Sequence, residues 1–289
     1  MLINGGDIMN IGFIGAGKVG VSLGKYFKTN GLELSGYYSR SLSSTKEACE
    51  FTASKPYDNL LSLIKDSKII FITTPDDSLV SLWSIIKKYD IKNKIFCHTS
   101  GSLSSKIFSD INNSGAFGYS IHPIFAFSDK YTCYKNLKTA YFSIEGDKEY
   151  LYDLKNIFDS LGNKIFIIDS DKKPLYHLAS VCASNLVLSL INIGCNNLIE
   201  CGIDEKNALK ALMPLIENNI MNLKTKGFHS ALTGPIERGD LGTVKSHIDV
   251  MPLEQIELYK ALSLNLIKLS LEKHENRDYS ILEQYLGGV

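Results

Sequence analysis

Two groups of residues in this 289-residue chain have types and spacings that could do chemistry. The first is Gly15-Ala16-Gly17-Lys18-Val19-Gly20, which follows the apolar run Ile11–Ile14 and leads into helically spaced Val21, Leu23, Tyr26 and Phe27. Strand, glycine turn and helix in that order suit a dinucleotide diphosphate. Gly15 permits the tight turn, Gly17 lets the main chain approach the phosphates, and Gly20 lets the helix pack on its strand. Free N–H groups and the helix dipole then face the anion, so Gly15 through Gly20 are expected to bind cofactor. The second group is Lys173, His177, Ser184 and Asn185 on one apolar stretch. Lys173 and His177 are four apart and share a helix face, and Ser184 returns to nearly the same direction. Polar groups in line on an apolar helix need partners, which a cleft with a polar substrate provides. Hydride delivery to a ketone requires a proton donor, and either a partly desolvated lysine or a histidine can act.

The second strand, Glu33–Tyr38, ends in Ser39-Arg40-Ser41, where a site for NAD would carry an acid for the ribose 2′-hydroxyl. An arginine between two hydroxyls fits a 2′-phosphate, so the expected cofactor is NADP(H). Lys68–Ile72 is a third strand, and Thr74 and Pro75 in its following loop are expected against the cofactor. Asp77 or Ser78 is expected to cap the next helix. Lys94–Cys97 and Ala116–Ile121 read as further strands. Their loops place Ser100, Gly101 and His122 where a substrate carboxylate could be held. Two more strands, Thr139–Ile144 and Lys164–Ile168, flank a helix over Glu149–Leu161. The alternation predicts an α/β fold, a doubly wound Rossmann sheet over residues 9–170.

Strands stop after Asp169–Pro174, so residues 171–289 are expected to form an all-α domain. Its first helix should open at Pro174 and run unbroken to about Cys201, buried at the centre of the molecule rather than crossing a membrane. Asp204 should cap the next helix, and a loop is expected over Lys226–Thr233, before a last helix over Leu253–Leu271. Arg238, in Gly234-Pro235-Ile236-Glu237-Arg238-Gly239-Asp240, is a candidate for holding a substrate anion, and Asp240 is a further substrate-binding candidate with Thr243 and His247 on one helix face. The group could instead orient the catalytic helix, start a helix with a surface ion pair, or make a dimer contact.

Thirty-one basic and 31 acidic side chains balance, which argues against nucleic acid and membrane surfaces as partners. Six scattered cysteines without a C-x-x-C pair suggest reduced thiols, a cytoplasmic location and no metal site. Residues 1–8 have no basic region or cleavage pattern of a signal peptide and read as a leader before Met9.

Together, the glycine turn, Ile121-His122-Pro123, Lys173-x-x-Tyr176-His177 with Ser184-Asn185, and Gly234–Asp240 resemble NADP-linked reductases with a helical C-terminal domain like that of 6-phosphogluconate dehydrogenase. The nearest likeness is to Rossmann-like proteins whose second half is a domain of unknown function, similar to an alternative ketopantoate reductase. The resemblance implies NADPH-dependent reduction of a 2-oxo acid, 2-dehydropantoate, and a homodimer through the helical domain. In that superfamily a lysine is followed four residues later by asparagine, whereas here Lys173 is followed by His177. A cyclic-imine reductase of the pyrroline-carboxylate kind and a non-catalytic NADP(H) sensor are the competing readings.

Overall fold

The computed structural model describes residues 9–287, so the expectation for residues 1–8 lies outside the described residues. Contacts divide the chain into two compact units, the first ending at Val187 and the second starting at Leu188. The first unit therefore extends past the change of character at Asp169–Pro174 and includes the helix that carries Lys173.

In the first unit, β1 (Ile11–Ile14), α1 (Lys18–Thr29), β2 (Leu34–Tyr38), α2 (Leu42–Thr52) and β3 (Lys55–Pro56) come first. They are followed by α3 (Leu60–Asp66), β4 (Ile69–Ile72), α4 (Asp76–Ile86), β5 (Ile95–His98) and β6 (Phe117–Ile124). Then come β7 (Tyr141–Gly146), α5 (Leu151–Ser160), β8 (Lys164–Ile167) and α6 (Lys173–Ala183). The eight strands form one sheet in the order β3-β2-β1-β4-β5-β6-β7-β8. All neighbours are parallel except β6 and β7. Strands β1, β4 and β5 are buried at every position, as continuous apolar runs covered by helices on both faces should be. On one face Phe13, Phe27, Phe71 and Phe158 pack together, and on the other Trp83 lies against Phe96 and Phe108. Trp83, the chain's one tryptophan, also donates its ring N–H to the Ser109 carbonyl. The fold is the expected Rossmann-like sheet followed by helices.

Several local expectations need correction. Pro75, with no side-chain bond, stands at the cap of α4 instead of Asp77 or Ser78, and Asp76 and Asp77 sit in the first turn, where they favour the dipole. His122 and Pro123 lie inside β6, whose pairing with β7 continues through Ile124. The helix from Lys173 is broken. Ser184 has non-helical backbone (φ −127°, ψ −80°), and α7 (Asn185–Glu200) starts anew. The Ser184 hydroxyl bonds back to the Ser180 carbonyl at 2.6 Å, a local bond that competes with helix continuation. Nor is this stretch buried. Leu175, Leu178, Leu186 and Leu188 are 50–67% exposed, and Lys173 alone in α6 is buried.

Beyond Leu188 the chain is helical, with α8 (Glu205–Ala231), α9 (Pro235–Arg238), α10 (Leu241–Val250), α11 (Leu253–Lys273) and α12 (Ser280–Tyr285). Asp204 caps α8 through Lys206 N–H, as expected. The anticipated loop from Lys226 is instead a kink at Gly227 (φ 74°), after which helical turns resume to Ala231. The core of this unit is Ile236, Val244, Ile267, Tyr279 and Leu282. Beside it the Glu237 carboxylate, 11% exposed, meets Lys273 at 3.2 Å, His274, and Arg277 at 3.9 Å.

The bond from His274, with the Lys273 ammonium, holds the Glu237 carboxyl below its ordinary range. A lowered folded value means that this carboxylate stabilises the fold above the unfolded pKa, and the benefit is lost as pH falls through the folded one. Glu237→Gln should therefore cost about 1–3 kcal/mol near neutral pH by leaving the Lys273 and Arg277 cations without their acid. Urea unfolding should show that cost narrowing in acid.

Candidate functional site

The carboxyl ends of β1, β2, β4, β5 and β6 carry the first unit's candidates other than those of α6 and the break that follows it. Where the strand order reverses between β1 and β4, a cleft of about 740 Å³ opens. Gly15, Ala16, Gly17, Ser39, Arg40, Ser41, Thr74 and Pro75 all line it. Gly15 has φ +113°, which a side chain would strain, and the Thr73 hydroxyl donates to its carbonyl at 3.0 Å. A Cβ on Gly20 would meet Thr73 Oγ1 at 2.4 Å and the Gly15 carbonyl at 2.5 Å, so α1 can pack on its strand only with glycine there. At Gly17 a Cβ would meet nothing within 4 Å, so packing does not demand glycine at that position. The start of α1 has no side-chain cap and no acid in its first turn, which suits an incoming anion. Thr74 Oγ1 is buried at this cleft with no hydrogen-bond partner among the described residues. Lys18 and Val19 open α1 without lining the cleft.

At the far rim Ser41 is already committed. Its hydroxyl caps α2 by accepting from Ser44 N–H at 3.3 Å, and Ser39 donates to the Ser41 carbonyl at 2.8 Å. Arg40 is exposed on this rim, with the α2 amino end beside it.

A second cluster forms over the loop after β5. Lys173, wholly buried, donates its Nζ to the Ser100 carbonyl at 3.0 Å. Burial lowers this ammonium to about 8, against the upward pull of Glu145 and then Asp76. The Ser100 hydroxyl in turn donates to Asp76 Oδ2 at 2.7 Å, and Ser102 donates to the same oxygen at 3.1 Å. Gly101 lies under two imidazoles. A Cβ there would stand 2.3 Å from His177 Nδ1 and 2.9 Å from His122 Nε2. His177 Nδ1 is buried without a hydrogen-bond partner among the described residues. His122 Nδ1 is 2.9 Å from the Tyr176 hydroxyl, and burial, followed by the Lys173 charge, lowers this imidazole to about 3. His98, on β5 beneath, is lowered by burial to about 4. Two imidazoles are thus neutral around one ammonium.

The structure brings Lys173, His177, His122, Ser100 and Gly101 together from three separate elements. Ser184 and Asn185 bond to each other at 3.0 Å at the α6–α7 break, exposed to solvent. Arg238 and Asp240 belong to the second unit, where Asp240 caps α10 through Thr243 and pairs with Arg238 at 3.8 Å. His247, seven residues on, bonds Tyr259 instead. Sequence reasoning assigned no role to Thr73, Asp76 or His98, whose importance comes from tertiary partners.

Residues 6–123 match a Rossmann-like domain, and residues 140–266 match a domain of unknown function, DUF2520. No curated protein matches the chain. Among solved structures, protein TM1727 from Thermotoga maritima is 28% identical with a TM-score of 0.68, covering 92% of this chain and 98% of its own. A Bacteroides fragilis protein described as a candidate NADP oxidoreductase is 22% identical, also at 0.68, covering 93% and 98%. Pyrroline carboxylate reductase from Plasmodium falciparum, solved with NADP bound, shares the fold at 16% identity and 0.61, covering 92% and 96%.

The two glycines separate folding from binding. Gly20→Ala should lower stability by about 1–3 kcal/mol through the clash with the Gly15 main chain. Gly17→Ala should leave it within about 0.5 kcal/mol. Paired urea melts test this, and equal losses would contradict the packing argument.

Proposed function

We propose that the chain is an NADP(H)-dependent reductase of a small 2-oxo acid, with 2-dehydropantoate as the first substrate to test, working in the cytoplasm. The observation that carries the reading is Lys173, a buried ammonium with a value of about 8, held beside two neutral imidazoles at the carboxyl edge of a Rossmann sheet. The unpartnered Thr74 hydroxyl, the open face of Gly17 and the uncapped start of α1 fit a dinucleotide diphosphate. Arg40 supplies the cation for a 2′-phosphate. NADPH, when bound, supplies the hydride.

The chain's own residues then have three tasks. Main-chain N–H groups at Ala16 and Gly17 and the Thr74 hydroxyl orient the cofactor, the Gly15 N–H being held by the Tyr38 carbonyl at 2.8 Å. The Ser100 carbonyl uses one of the three Lys173 N–H donors and aims the other two. As hydride reaches the carbonyl carbon, the π pair moves onto oxygen, and Lys173 gives that oxygen its proton. A positive site also favours an anionic 2-oxo acid over a cationic iminium, which would need a carboxylate beside the reacting atom. Shared fold with imine-reducing enzymes supports the hydride transfer but not that substrate.

Since the acid form of Lys173 is required, turnover should fall as pH rises through about 8. Lys173→Ala should lower kcat by about 100-fold or more, with NADPH affinity changed little. Stopped-time assays of nicotinamide absorbance with 2-dehydropantoate, other 2-oxo acids and a cyclic imine decide the matter. Oxidation with the imine alone would replace the 2-oxo acid reading, and no oxidation with any of them would leave a cofactor sensor.

We further propose a homodimer through the helical part. The supporting observation is the apolar surface left open there: Leu188, Val250 and Leu253 are 67–84% exposed, and Val250 lines a groove of about 860 Å³ with Leu190, Ile193 and Leu258. Sedimentation equilibrium should give twice the 32.1 kDa chain mass. Leu253→Glu with Val250→Glu should return it to one.

A further inference from the structure

His122 stands inside β6 and Tyr176 one turn into α6, with their rings perpendicular and the phenol hydroxyl 2.9 Å from Nδ1. Burial and the Lys173 ammonium keep this imidazole uncharged, so it carries a single proton on one of its two nitrogens. Which nitrogen holds it is set by the partner of the other. The Tyr176 phenol is itself kept protonated by burial, against a smaller opposite effect of the neighbouring Ser143 hydroxyl, so it has a hydrogen to give. Nδ1 is an acceptor at 2.9 Å, and the Ser143 hydroxyl can donate to the phenol oxygen in its turn. The remaining nitrogen, Nε2, has no protein partner among the described residues and lies over Gly101, the one residue type that leaves room for it.

We propose that Tyr176 is a positioning residue that donates to His122 Nδ1 and thereby fixes the proton on Nε2, where it meets the substrate's carbonyl oxygen. The inference rests on the reductase reading for the identity of that oxygen, but the tautomer itself does not. A neutral N–H gives the oxygen a fixed donor as negative charge gathers there, while the proton comes from Lys173. It also explains why a phenol is placed between the cation and the imidazole, 5.2 Å from Lys173 Nζ to its ring centre.

The test uses the full chain labelled with ¹⁵N-histidine, with the His122 signals assigned by their loss in His122→Gln. Nitrogen shifts should show Nε2 protonated and Nδ1 accepting, and a protonated Nδ1 would overturn the proposal without any turnover being needed. In the assay, Tyr176→Phe should lower kcat by about five- to tenfold, with KM for NADPH within about twofold. The same substitution in a His122→Gln background should change kcat less than about twofold. An equal loss in both backgrounds would show that Tyr176 does not act through His122. If the wild-type protein fails to oxidise NADPH with every 2-oxo acid and imine tried, the reductase reading fails, and the nitrogen shifts still decide the tautomer.

Discussion

A cation without solvent is the constraint around which the first unit is arranged. Lys173 is the one residue of α6 that the fold buries, and an unpaired ammonium in such a place would cost several kcal/mol. What offsets that cost is modest in number but well directed. The Ser100 carbonyl takes one N–H, the Asp76 and Glu145 carboxylates add their field, and the Tyr176 ring lies close by. Those partners come from the loops after β4 and β5, from β7 and from the helix itself. The ammonium therefore fixes the loop, and the loop fixes the ammonium. Glu145 is further held by the main-chain N–H and the hydroxyl of Ser105, each at 2.7 Å.

The reversal of β7 follows the same logic. A wholly parallel sheet would send each new strand back through a helix on one face. Pairing β7 antiparallel to β6 lets Glu145 lie directly opposite Ser120 in the strand register, near the loop that holds Ser105. Parallel pairing then resumes with β8.

Much of this was legible in the residues. Buried parallel strands are short unbroken apolar runs, so β1, β4 and β5 stand out, and the glycine turn marks the point where β1 hands over to α1. Strand β3 was not legible. It is two residues long, includes Pro56, and exists only because Gly36 lets the Lys55 main chain approach β2. The break at Ser184 was hidden because apolar periodicity continues through it, and one local hydroxyl bond decides the matter. The site divides in the same way. Lys173, His177, His122, Ser100 and Gly101 were recognisable from type and place at strand or helix ends. Asp76 and Tyr176 matter through bonds to groups 24 and 54 positions away, which no local pattern encodes. Arg238 suits an anion by its type, while Asp240 is a residue that a helix cap also demands, and it fills that place at α10.

Trp83 has a consequence of its own. The single indole of the chain is packed edge-on against Phe96 and Phe108 in the first unit, and the helical second unit has none. Intrinsic fluorescence excited at the red edge is therefore a reporter of the first unit alone. Circular dichroism at helical wavelengths reads the helices of both units, so a second unit that melts apart from the first shows as a dichroism transition with no fluorescence counterpart.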